Sequence, residues 1–274
     1  MGATGNVGRQ VVARLVAEGV PTRALARDPD AAAFPAEVEV VRGDLAEPES
    51  LTAALDGVES VFLVWPFHDT AGAAEVVKVL GAHAQRVVYL SSTAINDKGP
   101  QSDPIPERHA EVEALIEASG MPWTVLRADT IASNALGWAG QIRAGDVVRG
   151  IEVAPTAVVH EGDIAAVAVR LLTDHSHTWR KYLVTGPRVV GRDDQVQAIA
   201  AALGRPLRFE ALPLDVARES MTGAGLPAAL IESLLSMAEF RPRSDLVTTT
   251  VADLTGHPAR DIRDWAAEHA ADFR

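Results

Sequence analysis

The sequence predicts an α/β protein: a doubly wound parallel sheet with a small, mainly helical lobe at its C-terminal end. Three observations support this class. A glycine-rich turn opens the first helix, short continuous apolar segments then alternate with helical patterns, and the alternation becomes irregular in the second half. We expect residues 1–130 to bind a dinucleotide and residues 131–274 to form a substrate lobe interleaved with them around one cleft.

The glycine-rich turn comes first in the chain. Gly2, Gly5 and Gly8 form the pattern G-x-x-G-x-x-G, and apolar residues follow at helical spacing. Glycines let the backbone turn tightly and approach a pyrophosphate, which the unpaired N–H groups of the helix then face. This pattern is typical of a Rossmann-like fold. The residues expected to hold the cofactor here are Gly2, Thr4, Gly5, Asn6, Val7 and Gly8.

The strand that should precede this turn is missing. A Rossmann unit has used about five apolar residues on a central first strand before its glycines, whereas this sequence reaches Gly2 at once. Three explanations stay open: the start of the chain is truncated, another segment fills that position, or the sheet is built differently. If the short start disables the turn, no cofactor binds.

Composition narrows the class of protein further. A formal net charge of −12 argues against nucleic acid and anionic membranes as partners. The chain has no cysteine, which excludes disulfides and thiolate sites and favours a cytoplasmic location. No apolar run approaches the ~20 residues that span a bilayer, and no spacing predicts a metal site. A small-molecule substrate is expected, and a homo-oligomer stays open.

Apolar runs and helical periodicity predict the remaining elements. Strands are expected at residues 22–26, 38–41, 58–64, 86–90, 123–126, 182–185 and 207–212, with a strand or hairpin at 146–154. Helices are expected at residues 48–55, 70–83, 107–118, 134–144, 193–203 and 261–273. A further helix is expected to begin with Asp163 as its cap.

Several motifs occur in the order found in NmrA-like proteins, which are atypical short-chain dehydrogenase/reductases. They are the glycine turn through Arg9, Gly43-Asp44-Leu45, Val61 to Val64, Tyr89 to Ser92, His109 to Glu113 and Trp123 to Arg127. The chain most resembles members described as NAD(P)H-binding and quinone- or azoreductase-like. The resemblance covers the whole chain except the missing strand.

The resemblance implies a preference for NADP(H). Arg27 ends the strand where ribose specificity is determined, and a cation there suits a 2′-phosphate, with Arg9 assisting. Asp28 leaves NAD(H) open, because a carboxylate at this point can hold a 2′-hydroxyl. Asp44 and Leu45 resemble the pair that contacts adenine. Trp65 and Pro66 are expected along the ribose and nicotinamide.

The usual proton relay of short-chain dehydrogenases is missing. Ile105 and His109 occupy the positions of its Tyr-x-x-x-Lys pair. His109 is the candidate catalytic residue, as a proton donor or cofactor ligand; its structural alternative is a pairing with Glu113 one turn later. Ser91 is the second candidate, because a hydroxyl at a strand end can orient a carbonyl. Tyr89 and Tyr182, both in predicted strands, are not expected to replace the missing tyrosine.

The substrate pocket is expected to contain an aromatic wall. Its candidates are Trp65, Phe67, His68 and Trp138, with Thr93 beside them, and His160 borders the cleft or lies in a surface loop. The leading hypothesis is NADP(H)-dependent hydride transfer to a quinone or another conjugated acceptor. A non-catalytic NAD(P)H sensor and a cofactor-independent isomerase or cyclase are the alternatives.

Overall fold

The structure is a computed structural model that describes residues 1–274. Its strands are β1 (Thr22–Ala26), β2 (Val38–Arg42), β3 (Ser60–Val64), β4 (Arg86–Ser92), β5 (Trp123–Ala128), β6 (Val147–Gly150), β7 (Arg180–Val184) and β8 (Arg208–Ala211). Its α-helices are α1 (Asn6–Ala17), α2 (Leu51–Ala54), α3 (Ala73–His83), α4 (Pro104–Ala118), α5 (Ala139–Ala144), α6 (Glu161–Thr173), α7 (Arg192–Leu203), α8 (Leu214–Gly223), α9 (Ala228–Phe240), α10 (Thr250–Thr255) and α11 (Ile262–Glu268).

The main sheet is parallel and confirms the predicted fold class. Strands β3, β4, β5 and β7 pair in that order, and β1 pairs with β2 in a separate parallel ladder. The carboxyl ends meet at one edge, since Val64 pairs with Leu90 and Leu90 with Leu126. No strand of the chain lies between β1 and β3. The strand that was expected before the glycine turn therefore has no counterpart between β1 and β3.

Helices cover both faces of this sheet. On one face, α1 and α6 pack on Phe62, Val88 and Leu126. On the other face, α2, α3 and α4 pack on side chains such as Leu63 and Tyr89. Because both faces are covered, β4 and β5 are buried along almost their whole length. This burial explains their continuous apolar sequences.

The C-terminal part forms a second core. Strands β6 and β8 pair in parallel, and α7 and α11 pack beside them. Trp265 and Phe273 are fully buried there, so the last helical segment packs onto this core. Two elements from the second half of the sequence belong with the main sheet: β7 is its last strand, and α6 packs on one of its faces.

Two predicted helix boundaries are wrong. Helix α6 begins at Glu161, because His160 rather than Asp163 caps it: Nδ1 of His160 accepts from the N–H of Gly162 at 3.0 Å. Asp163 lies inside the helix and accepts from Arg260. The predicted helix at residues 134–144 is a 3₁₀ turn, Ala132–Trp138, followed by α5. None of the helices is both long and apolar enough to cross a membrane.

Candidate active site

The glycine turn has the geometry that a pyrophosphate needs. Gly2 has a φ of +81° and lies against Val64 at the end of β3. A Cβ on Gly8 would collide with the carbonyl oxygen of Gly2, so helix and turn approach too closely for any side chain. Gly5 caps α1 without a side-chain hydrogen bond, which leaves the first N–H groups of the helix to bind an anion. The residues present therefore fit a dinucleotide.

Arg9 supports the turn itself. Its guanidinium donates to the carbonyl oxygens of Thr4, at 3.1 Å, and of Gly5, at 3.4 Å. Arg9 thus holds the loop in shape. Asn6 and Val7 begin α1, and Val7 is buried in the core beside the sheet.

Two arginines lie at the tips of the outer strands. Arg27 follows β1 and is exposed, and Arg42 ends β2 and donates to the carbonyl oxygen of Arg27 at 3.1 Å. Asp28, the residue that left NAD(H) open, accepts instead from the N–H of Asp30 at 3.2 Å. Arg42 was not among the predicted cofactor ligands, although it stands at a strand end directly before Gly43 and so gives the same signal as Arg27.

Of the four residues expected to contact the adenine, ribose and nicotinamide, two are buried, one shapes its own turn and one is exposed. Asp44 accepts from the N–H of Ala46 at 2.9 Å and so shapes its own turn. Leu45 is buried in the core. Trp65 is only 5% exposed, and its indole donates to the carbonyl oxygen of Asp69 at 2.7 Å. Pro66 is exposed at the end of β3, so it keeps the position expected of a cofactor contact.

The expected aromatic wall is not one surface. Trp65 and Phe67 pack edge to face, with ring centres 5.1 Å apart, in the core beside α3. Trp138 packs instead on Phe209 in the C-terminal core. Side chains that remain accessible at the carboxyl edge are His68, which is exposed, and Thr93, which is half-buried. His160, 2% exposed, is a buried cap rather than a cleft or loop residue.

His109 pairs with Tyr89 and not with Glu113. The half-buried imidazole of His109 lies on α4, and its Nδ1 is 2.8 Å from the hydroxyl of the fully buried Tyr89 on β4. Burial and the Glu113 carboxylate raise the pKa of Tyr89 far above its usual value, so the phenol keeps its proton. That proton needs an acceptor, and Nδ1 is the one it contacts. The ring proton of neutral His109 is thereby assigned to Nε2.

His109 is neutral at physiological pH. Burial, together with the Arg108 and Arg241 guanidinium groups, lowers its pKa to about 4 against the opposing effect of Glu113. Arg108 donates weakly to the carbonyl oxygen of His68. Arg241 reaches from beyond α9 and binds Asp103, the residue that caps α4. Arg108 is therefore the positive charge beside His109 that forms no ion pair.

Glu113 is the centre of a buried ion cluster. It accepts from Arg127 and from Lys181 at 2.6 and 2.8 Å, and from the hydroxyl of Ser91. Burial raises the pKa of Glu113, but these hydrogen bonds outweigh burial and leave it below its usual value. Ser91 is buried, and its hydroxyl bond to Glu113 joins the end of β4 to α4.

Comparison with known proteins agrees with this geometry. Residues 2–175 match a family described as NAD(P)H-binding. The (4-alkanoyl-5-oxo-2,5-dihydrofuran-3-yl)methyl phosphate reductase of Streptomyces griseus is 42% identical, over 99% of this chain and 97% of that protein. The NAD(P)H azoreductase of Xenophilus azovorans is 34% identical, over 100% and 98%.

A solved structure shows the same fold. The NADPH-dependent quinone oxidoreductase QOR2 of Escherichia coli superposes with a TM-score of 0.79 over 97% of each chain, at 22% identity. The glycine turn, the parallel sheet and these matches lead to one assignment. The chain belongs to the NAD(P)H-binding family of NmrA-like atypical short-chain dehydrogenase/reductases and is an NAD(P)H-dependent oxidoreductase.

Proposed function

We propose that the protein uses NADPH to reduce a small conjugated acceptor, either a quinone or an α,β-unsaturated carbonyl compound, and that neutral His109 donates a hydrogen bond to the acceptor oxygen. The observation that carries this proposal is the pairing of Tyr89 with Nδ1 of His109, which assigns the ring proton to Nε2. The cofactor, when bound, supplies the hydride. The chain then has to bind the acceptor, orient it and stabilise the charge that develops on its oxygen.

A neutral imidazole suits this task better than a charged one. Because the pKa of His109 is about 4, its imidazole is not protonated at neutral pH and cannot act as the general acid. The proton that completes the reduction therefore comes from water. The hydrogen bond from Nε2 stabilises the oxyanion before that proton arrives. A conjugated acceptor spreads the new charge over several atoms, which removes the need for the Tyr-x-x-x-Lys relay.

The charges around His109 indicate the acceptor class more closely. Arg108 and Arg241 both act on the His109 ring, and the nitrogen Nε of Arg108 is buried without a hydrogen-bond partner. Arg241 is paired with Asp103, whereas Arg108 forms no ion pair and donates only to a backbone carbonyl. The positive charge of Arg108 favours an acceptor that is itself anionic. The Streptomyces griseus relative is named for a phosphate ester of an unsaturated lactone. We therefore place an acyl-substituted 2,5-dihydrofuranone phosphate beside simple quinones as the acceptors to test.

NADPH is the preferred cofactor in this proposal. Arg27 and Arg42 place two guanidinium groups at the tips of β1 and β2, where a 2′-phosphate would lie. One oxygen of the Asp28 carboxylate accepts from the N–H of Asp30. The two guanidinium groups favour NADPH over NADH.

The test is NADPH oxidation with three acceptors: a simple quinone, an acyl-dihydrofuranone phosphate and a saturated ketone. We expect turnover with the first two only. His109→Ala should lower turnover by about 100-fold, as removal of one oxyanion donor does elsewhere, while calorimetry shows unchanged NADPH affinity. Equal turnover of the saturated ketone would refute the acceptor class. Full activity of His109→Ala would remove His109 from the reaction.

A further inference from the structure

Helices α8 and α9 form a hairpin with a small core of its own. The buried apolar side chains of this core are Ala217, Ile231 and Leu235, whereas the cores on the two faces of the main sheet hold 18 and 16 such residues. Regions with few buried apolar contacts lie at the low end of local stability. The position of the hairpin on the rest of the chain therefore depends on contacts outside its own core.

A buried ion pair joins this hairpin to the candidate active site. Helix α9 packs on α4, the helix that carries His109. Arg241, the first residue after α9, donates to both carboxylate oxygens of Asp103 at 3.1 to 3.3 Å. The side chain of Asp103 is completely buried, and that of Arg241 is 14% exposed. Such a pair is costly to break, because either partner alone would leave a buried charge without a counterion.

Asp103 connects this ion pair to His109. It is the N-cap of α4, and its Oδ1 accepts from the N–H of Ile105 at 3.0 Å. His109 follows on the same helix, about 9 Å further along the helix axis. Burial and Arg108 lower the pKa of His109 most, and the charge of Arg241 adds to their effect. The hairpin, the start of α4 and the imidazole are thus connected through one carboxylate.

A second ion pair of the hairpin lacks this connection. Arg218 of α8 binds Glu232 of α9, so this pair joins the two helices of the hairpin to each other. Both side chains are about half exposed, and exposed ion pairs contribute little to stability. Arg218 and Arg241 therefore carry the same charge on the same hairpin, but of these two only Arg241 binds a residue of α4 or its cap. The chain thus supplies its own control.

We propose that Arg241 is a positioning residue of the reductase: by binding Asp103 it holds the α8–α9 hairpin against the start of α4 and so keeps His109 aligned with the bound acceptor. Arg241 acts through Asp103 and α4, and not by contact with the acceptor. Without this pair, the hairpin would separate from α4 and admit water beside His109. The catalytic part of this inference rests on the proposed function, whereas the docking of the hairpin does not.

The first test measures hydrogen exchange at the backbone amides of α9 in the chain alone. We expect Arg241→Ala to speed this exchange by about 10-fold or more, while the amides of α6 in the main core stay unchanged. Asp103→Asn should give the same result, because asparagine caps a helix as well as aspartate does but has no charge to pair with Arg241. Arg218→Ala should have a much smaller effect. Equal acceleration in Arg218→Ala and Arg241→Ala would overturn the proposal.

The second test measures NADPH oxidation with the quinone and the dihydrofuranone phosphate. Arg241→Ala and Asp103→Asn should each lower kcat/KM for the acceptor by about 10-fold, with unchanged NADPH affinity, and Arg241→Lys should recover part of the loss. The double variant should be no worse than either single variant, because the two residues act as one unit. Arg218→Ala should keep full activity.

The two tests separate the possible failures. Additive losses in the double variant would show that Arg241 and Asp103 act independently, and would overturn the proposal. A loss of turnover in Arg241→Ala with the exchange rates of the unmodified chain would show that Arg241 binds the acceptor directly, which also contradicts a positioning role. If neither acceptor is reduced, the proposed function fails, and the exchange rates of α9 still decide whether Arg241 holds the hairpin.

Discussion

The hydroxyl of Tyr89 lies 2.8 Å from Nδ1 of His109, and the chain repeats this pairing away from the site, where the hydroxyl of Tyr182 lies 2.6 Å from Nδ1 of His177. The first pair joins β4 to α4 beneath the proposed acceptor position. The second joins β7 to the 3₁₀ turn after α6. Two pairs of the same chemistry, one at the site and one remote from it, allow a controlled test.

Tyr89→Phe should lower turnover by about 10-fold. This loss corresponds to the free energy of the one hydrogen bond that fixes the tautomer of His109. Without the phenol, both neutral tautomers of His109 are populated, and only the tautomer with the proton on Nε2 can donate a hydrogen bond to the acceptor oxygen. Nitrogen chemical shifts of the His109 ring should show this change. Tyr182→Phe is the control and should leave turnover unchanged. Equal loss in both variants would mean that the effect is structural.

Acid should destabilise the protein partly through His109. The folded pKa is about 4 and the ordinary value is 6.5, so between these pH values the unfolded chain binds a proton that the folded chain does not. Stability from this group is complete above pH 6.5 and is lost as the pH falls towards 4, by about 3 kcal/mol in total. Urea unfolding of His109→Gln should show a smaller loss across this window. Parallel curves for both proteins would contradict the assignment.

Gly8→Ala should strongly weaken cofactor binding. The added Cβ meets the carbonyl oxygen of Gly2, and the turn must open to accept it. We expect NADPH affinity to fall by at least about 100-fold, or roughly 2.7 kcal/mol, by calorimetry. Gly81→Ala in α3 is the matched control, because a Cβ there meets nothing within 4 Å. It should keep full affinity and add about 0.5–1 kcal/mol of stability.

Arg27→Ala and Arg42→Ala should each weaken NADPH binding by about 10-fold or more, since a charge-assisted hydrogen bond to the 2′-phosphate is lost. Binding of NADH, which has no such phosphate, should stay the same in both variants. Asp28→Asn tests the alternative. A selective loss of NADH affinity in Asp28→Asn would show that the carboxylate holds a 2′-hydroxyl after all.

The sequence was sufficient for most of the fold, because glycine spacing and continuous apolar runs are local signals. Of the three functions it left open, the reductase is the one that the relatives support. For His109, helical spacing suggested a pairing with Glu113 as the structural alternative, whereas the structure pairs His109 with Tyr89. A usable signal was present: Tyr89 and Ser91 share one face of a strand, and His109 and Glu113 share one face of a helix. The structure joins these as two matched pairs.

Other features of the structure could not be predicted, because they depend on contacts between residues that are far apart in the sequence. Trp65 follows a strand and Trp138 lies in a helical segment, and neither local pattern shows that the two side chains pack into separate cores. Asp163 is a residue type that often caps helices, but here its carboxylate accepts a hydrogen bond from Arg260, which is almost a hundred residues away in the sequence. The side chain of His160 took the cap position instead.

The buried charges of Glu113 and Arg127 also determine strand alignment. Apolar side chains cannot set the register of β4 and β5, because both strands are buried on both faces and a shifted strand would bury almost as much. A slip of one residue in β5 would turn Arg127 to the opposite face. Glu113 would lose its strongest partner in a place that water does not reach, at a cost of about 3–5 kcal/mol. The cluster thus favours the native alignment of β4 and β5 over an alignment shifted by one residue, and so helps to fix the carboxyl edge of the sheet.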